Sequence, residues 1–156
     1  MVKVSVVLPT YNERENIPDI IGRLLKVLQS SEIIVVDDNS PDGTWKIVRN
    51  IASRDKRIKL VLRKNARGIA SALREGSRKA KGRILVWMDA DLTHPPEIIP
   101  KLLEKIGNND IVIASRYAKG GRDTRNFVRS LASRMANLFA YILLGAVRDF
   151  TSVFAA

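Results

Sequence analysis

Five short runs of apolar residues, many of them β-branched, alternate with segments whose apolar residues recur at helical spacing. This alternation constrains the fold more than any other feature of the chain. Runs of this kind are typical of strands buried on both faces, and amphipathic helices between them indicate a parallel sheet. We therefore predict an α/β fold with a Rossmann-like, mostly parallel sheet and helices on both faces. The runs are VSVVL at 4–8, EIIVV at 32–36, IKLVL at 58–62, RILVWM at 83–88 and DIVIA at 110–114.

The segments between and after these runs carry apolar residues three or four apart, the spacing of an amphipathic helix. Proline suits the first turn of a helix and threonine suits its cap. Trp45 and Trp87 are expected in the core. We predict five helices: one over 17–28, one that begins after a cap at Thr44, one that ends at about Ala80, one from Pro95 to Ile106, and one over about 126–144.

Composition places the chain among globular proteins of one domain. Its 156 residues are enough for a sizeable core, and we expect a single domain over 1–156. Cysteine is absent, which excludes disulfides and thiolate metal sites. No apolar run reaches the roughly 18 residues of a membrane span, and the N-terminus lacks a signal-peptide pattern. These features suit a cytoplasmic protein.

The net charge of +11 comes from 27 basic and 16 acidic residues. Such an excess favours a polyanionic partner, although a charged, thermally robust surface would also produce it. A nucleotide- or nucleic-acid-binding module without catalytic activity is one alternative. Nucleic acid is the less favoured partner, because the sequence has neither zinc-finger cysteines nor an aromatic RNA-recognition motif.

Polar and charged residues follow the predicted strands. In an open parallel sheet, ligands bind outside the carboxyl ends of the strands, so these segments should form one site. Neither the G-x-G-x-x-G dinucleotide fingerprint nor the G-x-x-x-x-G-K-[ST] phosphate loop is present, which argues against an ordinary NAD site or an ATPase. The segments are PTYNE, DDNSPDG, RKNARG, DADLTHPP and SRY.

Asp89 and Asp91 directly follow the fourth run. Residues two apart in an extended segment point the same way, and two carboxylates held close repel each other unless a cation lies between them or one is protonated. Mg²⁺ or Mn²⁺ would suit such oxygen ligands and would bridge them to substrate phosphates. The alternative is that the acids cap the next helix. His94, the only histidine, is expected in a capping or packing role.

Together, SVVLPTYNERENI, IIVVDDNSPDGT, MDADLTHPPE, ASRY and RDFTS resemble, in order and spacing, the family 2 glycosyltransferases. Within that family they are similar to the dolichyl-phosphate mannose synthases. The resemblance implies the A-type glycosyltransferase fold and inverting transfer of mannose from GDP-mannose to dolichyl or polyprenyl phosphate, with Mg²⁺ or Mn²⁺. The family domain normally continues beyond RDFTS, so we expect 1–156 to lack its C-terminal part.

The resemblance also implies roles for individual residues on the donor side. Asp89 and Asp91 match the metal and diphosphate motif, with Asp91 also counted as catalytic. Thr93 stands where many of the synthases have a glutamine. The residues that match the nucleotide-binding positions are Pro9, Tyr11, Glu13, Asp38 and Asp89.

On the acceptor side, Arg116, Arg129 and Ser133 match positions that grip the acceptor phosphate, and Asp149 matches one near the reacting sugar. Arginine suits this task because its planar fork pairs with two phosphate oxygens. Because the implied acceptor is a lipid, we expect peripheral contact with the cytoplasmic face of the membrane, with the basic loop at 116–129 against it. UDP-glucose as donor, giving a polyprenyl-phosphate glucose, remains an alternative.

Overall fold

The computed structural model describes residues 3–115 and residue 135. Four parallel strands alternate with helices, as the sequence pattern predicts. The strands are Val4–Thr10 (β1), Ser31–Asp37 (β2), Ile58–Leu62 (β3) and Ile84–Trp87 (β4). The helices are Ile17–Val27 (α1), Thr44–Arg54 (α2), Ile69–Lys79 (α3) and Ile99–Lys105 (α4), with 3-10 turns at Pro96–Ile98 and Ile106–Asn108.

The strands form one sheet in the order β3-β2-β1-β4, and every pairing is parallel. Val4 pairs with Ser31 at one end of β1, and Thr10 pairs with Asp37 at the other. The segments that leave the strands at their carboxyl ends therefore emerge along one edge. This register places the polar residues after each strand within reach of one another.

Two apolar layers cover the two faces of the sheet. The larger layer joins α1, α2 and α4 to one face, and Ile17, Ile20, Leu24, Val48 and Ile99 are each fully buried in it. The smaller layer joins α3 to the other face through Ala72 and Leu73, which pack on residues of β1 and β2. Burial of these side chains provides the main driving force for folding. It also fixes the helices against the sheet, and with them the ends of the connecting loops.

Three details differ from the sequence predictions. The predicted strand over 110–114 is wrong, since residue 113 forms only an isolated bridge. No continuous ladder supports that segment within residues 3–115, and Ile111 is exposed. Thr44 is the first residue of α2 rather than its cap, which is Gly43 in the left-handed conformation at φ 84°. Trp87 is 37% exposed because it lies on β4, an edge strand of the described sheet.

Trp45 is only partly buried, and the side chains of Lys46 and Arg49 lie over its ring. Neither tryptophan is therefore a full core residue. None of the helices in the described part of the chain combines the length and the apolar character that a membrane span requires.

Candidate functional site

A cavity of about 460 Å³ opens at the carboxyl ends of the strands. Segments that follow all four strands contribute to its wall, so these four strand ends lie at one cavity. The sequence-predicted residues Pro9, Tyr11, Glu13, Asp38, Asp89 and Asp91 all line it. Arg67 and Gly68, which precede α3, and Ile69, its first residue, also line the cavity.

Asp37, the last residue of β2, fixes the loop after β1. Its buried carboxylate accepts hydrogen bonds from Thr10 Oγ1 at 2.9 Å, from the Ser40 amide at 2.8 Å and from Ser40 Oγ at 2.7 Å. Ser40 Oγ in turn accepts a hydrogen bond of 3.0 Å from the Asn12 amide. Asn12 has φ 62°, a left-handed conformation that asparagine tolerates better than most residues. These bonds hold the turn that presents Tyr11.

Asp42 makes a second connection between the two loops. One of its oxygens accepts from the Thr44 amide at 2.9 Å and from Thr44 Oγ1 at 2.7 Å, and the other accepts from the Arg14 amide at 3.0 Å. Burial raises the pKa of Asp42, but the hydrogen bonds from Thr44 and Arg14 outweigh it and leave the pKa below its ordinary value. Thr44 Oγ1 also accepts from the Glu13 amide at 3.0 Å. Glu13 is thereby fixed at the cavity wall.

Asp38 is 7% exposed, and both of its carboxylate oxygens are bonded to protein groups. Oδ1 accepts from Arg63 Nε at 2.6 Å, and Oδ2 accepts from the Gly68 amide at 2.9 Å. Arg63 is 5% exposed, so this is a buried ion pair. Arg63 is not among the site residues predicted from the sequence, although its position directly after a strand is a usable signal.

Tyr11 and Arg67 meet at the cavity wall. The guanidinium carbon of Arg67 lies 5.1 Å from the centroid of the Tyr11 ring, within the range of a cation–π interaction. Tyr11 is 45% exposed. An aromatic ring and a guanidinium plane are both groups on which a nucleobase can stack.

Asp89 and Asp91 both face the cavity, and Ala90 between them is 2% exposed. Ala90 lines the cavity as well, so the expectation that residues two apart point the same way stays a prediction. Burial raises the pKa of Asp89, the charge of Asp91 raises it further, and His94 offsets part of the increase. The site thus disfavours two negative charges in the absence of a cation.

The alternative that these aspartates cap the next helix is wrong. Pro95 occupies the N-cap position of the 3-10 turn, and no side chain makes a capping hydrogen bond there. Asp91 Oδ1 instead accepts hydrogen bonds from the amide of Thr93 at 3.0 Å and from its hydroxyl at 2.7 Å. The hydroxyl of Thr93 also lies 3.2 Å from His94 Nδ1, so His94 supports this turn.

The donor set of Asp89 and Asp91 fits a hard divalent cation, because such ions prefer carboxylate oxygens. Within the described residues, no group of three histidine, cysteine or acidic side chains converges to hold a metal ion. A cation here would therefore complete its coordination with ligand phosphate oxygens and water. Mg²⁺ commonly binds in this way, through one or two carboxylates and substrate phosphates.

The residues predicted to act on the acceptor lie outside the described part of the chain. They are Arg116, Arg129, Ser133 and Asp149. The roles that the sequence resemblance implies for them remain predictions.

Two curated relatives are similar over nearly the whole chain. Dolichol-phosphate mannosyltransferase of Pyrococcus furiosus is 46% identical over 151 residues, which are 94% of this chain and 43% of the relative. Polyprenol monophosphomannose synthase of Mycolicibacterium smegmatis is 38% identical, over 99% of this chain and 61% of the relative. The chain thus spans between two fifths and about three fifths of these relatives' lengths.

Two solved structures share the fold. The mannosyltransferase PcManGT of Pyrobaculum calidifontis, in complex with GDP-Man and Mn²⁺, gives a TM-score of 0.64 at 30% identity, over 72% of this chain and 35% of that one. Glucosyl-3-phosphoglycerate synthase of Mycobacterium tuberculosis, in complex with Mn²⁺, UDP-glucose and phosphoglyceric acid, gives 0.71 at 26% identity, over 98% and 55%. The prediction of the A-type glycosyltransferase fold is confirmed.

A family model also matches this chain, in agreement with the curated relatives and the solved structures. The family model described as "Glycosyl transferase family 2" matches residues 5–154, a range that includes both cavity aspartates and all residues of the four strands except Val4. The chain therefore belongs to glycosyl transferase family 2.

Proposed function

We propose that this chain carries the donor-binding part of an inverting glycosyltransferase that moves mannose from GDP-mannose to dolichyl or another polyprenyl phosphate. The observation that carries the proposal is the cavity in which Asp89 and Asp91 face Tyr11 and Asp38. The proposal is also supported by the two curated relatives, which are named as a mannosyltransferase and a monophosphomannose synthase.

Asp89 and Asp91 would hold Mg²⁺ or Mn²⁺ through carboxylate oxygens. When bound, the cation neutralises charge that develops on the departing nucleoside diphosphate. The hydrogen bonds from Thr93 fix one oxygen of Asp91, so that its other oxygen stays available to the cation. Tyr11 supplies a flat surface for the base, and Pro9 and Glu13 form the adjoining wall.

The nucleophile in this reaction is a phosphate oxygen that is already anionic at neutral pH. It needs no strong general base, and correct placement of the acceptor is the main requirement. Arg116, Arg129 and Ser133 are assigned to that placement, and Asp149 to the surroundings of the reacting sugar, on the strength of the sequence resemblance. The net charge of +11 suits an anionic acceptor and peripheral contact with the cytoplasmic face of a membrane.

UDP-glucose is a second candidate donor. It is favoured by one observation, the likeness to a structure that contains UDP-glucose and Mn²⁺. GDP-mannose is the first candidate because the curated relatives with higher identity are named for mannose transfer.

Calorimetric titration with GDP-mannose and with UDP-glucose, each with and without MnCl₂, tests the donor. We expect metal-dependent binding of GDP-mannose that Asp91→Asn abolishes and that the control Asp55→Asn retains, because Asp55 pairs with Arg57 away from the cavity. Absence of metal-dependent binding for every nucleotide sugar would rule the proposal out. Tighter binding of UDP-glucose would select the second donor.

The transfer step needs a separate assay with labelled GDP-mannose and a polyprenyl phosphate. We expect labelled lipid from this chain or from a version extended to the length of its relatives. Arg129→Ala should reduce transfer more than donor binding, and equal losses in both would argue against an acceptor role.

Sedimentation with anionic vesicles tests the membrane contact. Failure of the protein to sediment with them, with or without the polyprenyl phosphate, would contradict that contact.

A further inference from the structure

We propose that Arg63 is a positioning residue for the donor, which acts through Gly68 to set the place of Arg67 at the cavity wall. The inference rests on the proposed function, because it assumes that the cavity binds a nucleoside diphosphate. Arg63 itself does not line the cavity, whereas Gly68 and Arg67 do.

Arg63 is held in a closed network of hydrogen bonds. Its Nε donates to Asp38 Oδ1 at 2.6 Å, its Nη1 donates to Ser71 Oγ at 2.8 Å, and its Nη2 donates to the Gly68 carbonyl at 3.1 Å. The Ser71 hydroxyl also donates to the Gly68 carbonyl, at 2.9 Å. One guanidinium therefore joins the end of β2 to the start of α3.

This network fixes Gly68 from both sides. Its amide donates to Asp38 Oδ2 at 2.9 Å, and its carbonyl accepts from Arg63 and Ser71. Gly68 has φ 113°, a conformation that residues with a Cβ atom rarely adopt. With the amide and the carbonyl both bonded, the direction in which the chain leaves Arg67 is set by Asp38 and Arg63.

Arg67 supplies a charge that the cavity otherwise lacks. Four acidic residues line the wall, namely Glu13, Asp38, Asp89 and Asp91, and Arg67 is the only lysine or arginine among its described lining residues. Its guanidinium rests on the Tyr11 ring and forms no ion pair within the described residues. It is therefore available to an incoming anion, and we assign it contact with the bound nucleotide.

Lysine cannot replace Arg63 in this role. Its single ammonium cannot reproduce a planar fork that reaches three acceptors in fixed directions. In Arg63→Lys the Gly68 carbonyl or Ser71 would lose its bond to residue 63, and Arg67 would be held less firmly above Tyr11.

A double-mutant cycle with Arg63→Lys and Arg67→Ala tests whether one residue acts through the other. The measured quantity is the Kd for GDP in the presence of MnCl₂, determined by calorimetry on the full 156-residue chain. We expect each single change to raise the Kd roughly tenfold, the effect of one lost charge-assisted contact. The double variant should bind within about twofold of Arg67→Ala. The control Arg57→Lys alters another Arg–Asp pair, away from the cavity, and should leave the Kd unchanged.

Multiplication of the two single effects in the double variant, or an unchanged Kd in Arg63→Lys, would overturn the proposal. Thermal unfolding of each variant separates a loss of position from a loss of fold. If Arg63→Lys does not fold, Ser71→Ala removes one of the bonds to Gly68 and should show a smaller loss with the same non-additivity toward Arg67→Ala. If the wild-type chain binds neither GDP nor a nucleotide sugar, the proposed function fails first.

Discussion

Gly76 of α3 lies directly against Val7 of β1. A Cβ atom on Gly76 would come within 2.4 Å of Val7 Cγ1 and 3.0 Å of Val36 Cγ2, which is closer than carbon atoms pack. The backbone of α3 thus touches the sheet, and this close approach places the N-terminal end of the helix, with Gly68 and Ile69, at the cavity wall.

Gly76→Ala should destabilise the fold. The added methyl group would displace buried valines of the sheet, and overpacking of this kind lowers the free energy of unfolding by about 1–3 kcal/mol. Urea denaturation measures the change. Gly22→Ala is the matched control, since nothing lies within 4 Å of a Cβ atom there and alanine should add about 0.5–1 kcal/mol to the stability of α1. Loss of stability in both variants would show that the contact with Val7 is not the cause.

The ionisation of buried Glu32 should make the stability of the fold depend on pH. It is 3% exposed and accepts hydrogen bonds from Ser5 Oγ at 2.6 Å, from the Lys81 amide and from Lys59 Nζ. Burial raises the pKa of Glu32, but the hydrogen bonds from Lys59, Ser5 and Lys81 outweigh it, so the pKa lies below its ordinary value. Its contribution is therefore complete above the unfolded-state pKa of about 4.3 and is lost as the pH falls through the folded-state pKa.

We expect Glu32→Gln to lower the free energy of unfolding by about 2 kcal/mol at neutral pH, because hydrogen bonds to a charged acceptor become neutral. Urea midpoints between pH 7 and pH 3 should fall less steeply in this variant than in the wild-type protein. Glu104→Gln, an exposed change in α4, serves as the control. An identical pH profile for Glu32→Gln and the wild type would contradict the assignment.

Substitution of Asp89 by asparagine should have opposite effects on stability and on metal binding. Because burial and Asp91 raise its pKa, the ionised form is disfavoured in the metal-free fold, and stability falls as the pH rises through the raised pKa. Asp89→Asn should therefore raise the thermal midpoint of the metal-free protein at neutral pH and remove the further increase caused by MnCl₂ with GDP. Thermal scans with and without these ligands measure both effects, and Asp110→Asn at an exposed site is the control. A lower midpoint, or undiminished stabilisation by MnCl₂ with GDP, would contradict the cation site.

The elements of this fold and one part of its site follow from local pattern. Strands β1 to β4 follow apolar runs of the sequence, and helices α1 to α4 follow apolar spacing, because burial selects those periodicities residue by residue. The position of Asp89 and Asp91 directly after an apolar run likewise predicts that both lie at the carboxyl ends of a parallel sheet, where both line the cavity. The segment at 110–114 shows the limit of this reasoning, since a run that resembles a strand becomes one only where a neighbour supplies the ladder.

The amino-acid sequence by itself thus determined the fold class, the family and the segments that line the cavity. Tertiary structure alone decided which side chains meet between those segments: the strand order β3-β2-β1-β4, the pairing of Asp38 with Arg63 across 25 residues, and the stacking of Arg67 on Tyr11. The physical reason is that periodicity and propensity act between neighbours along the chain. A buried ion pair or a cation over a ring depends on how separate elements pack in space, and no local pattern encodes it.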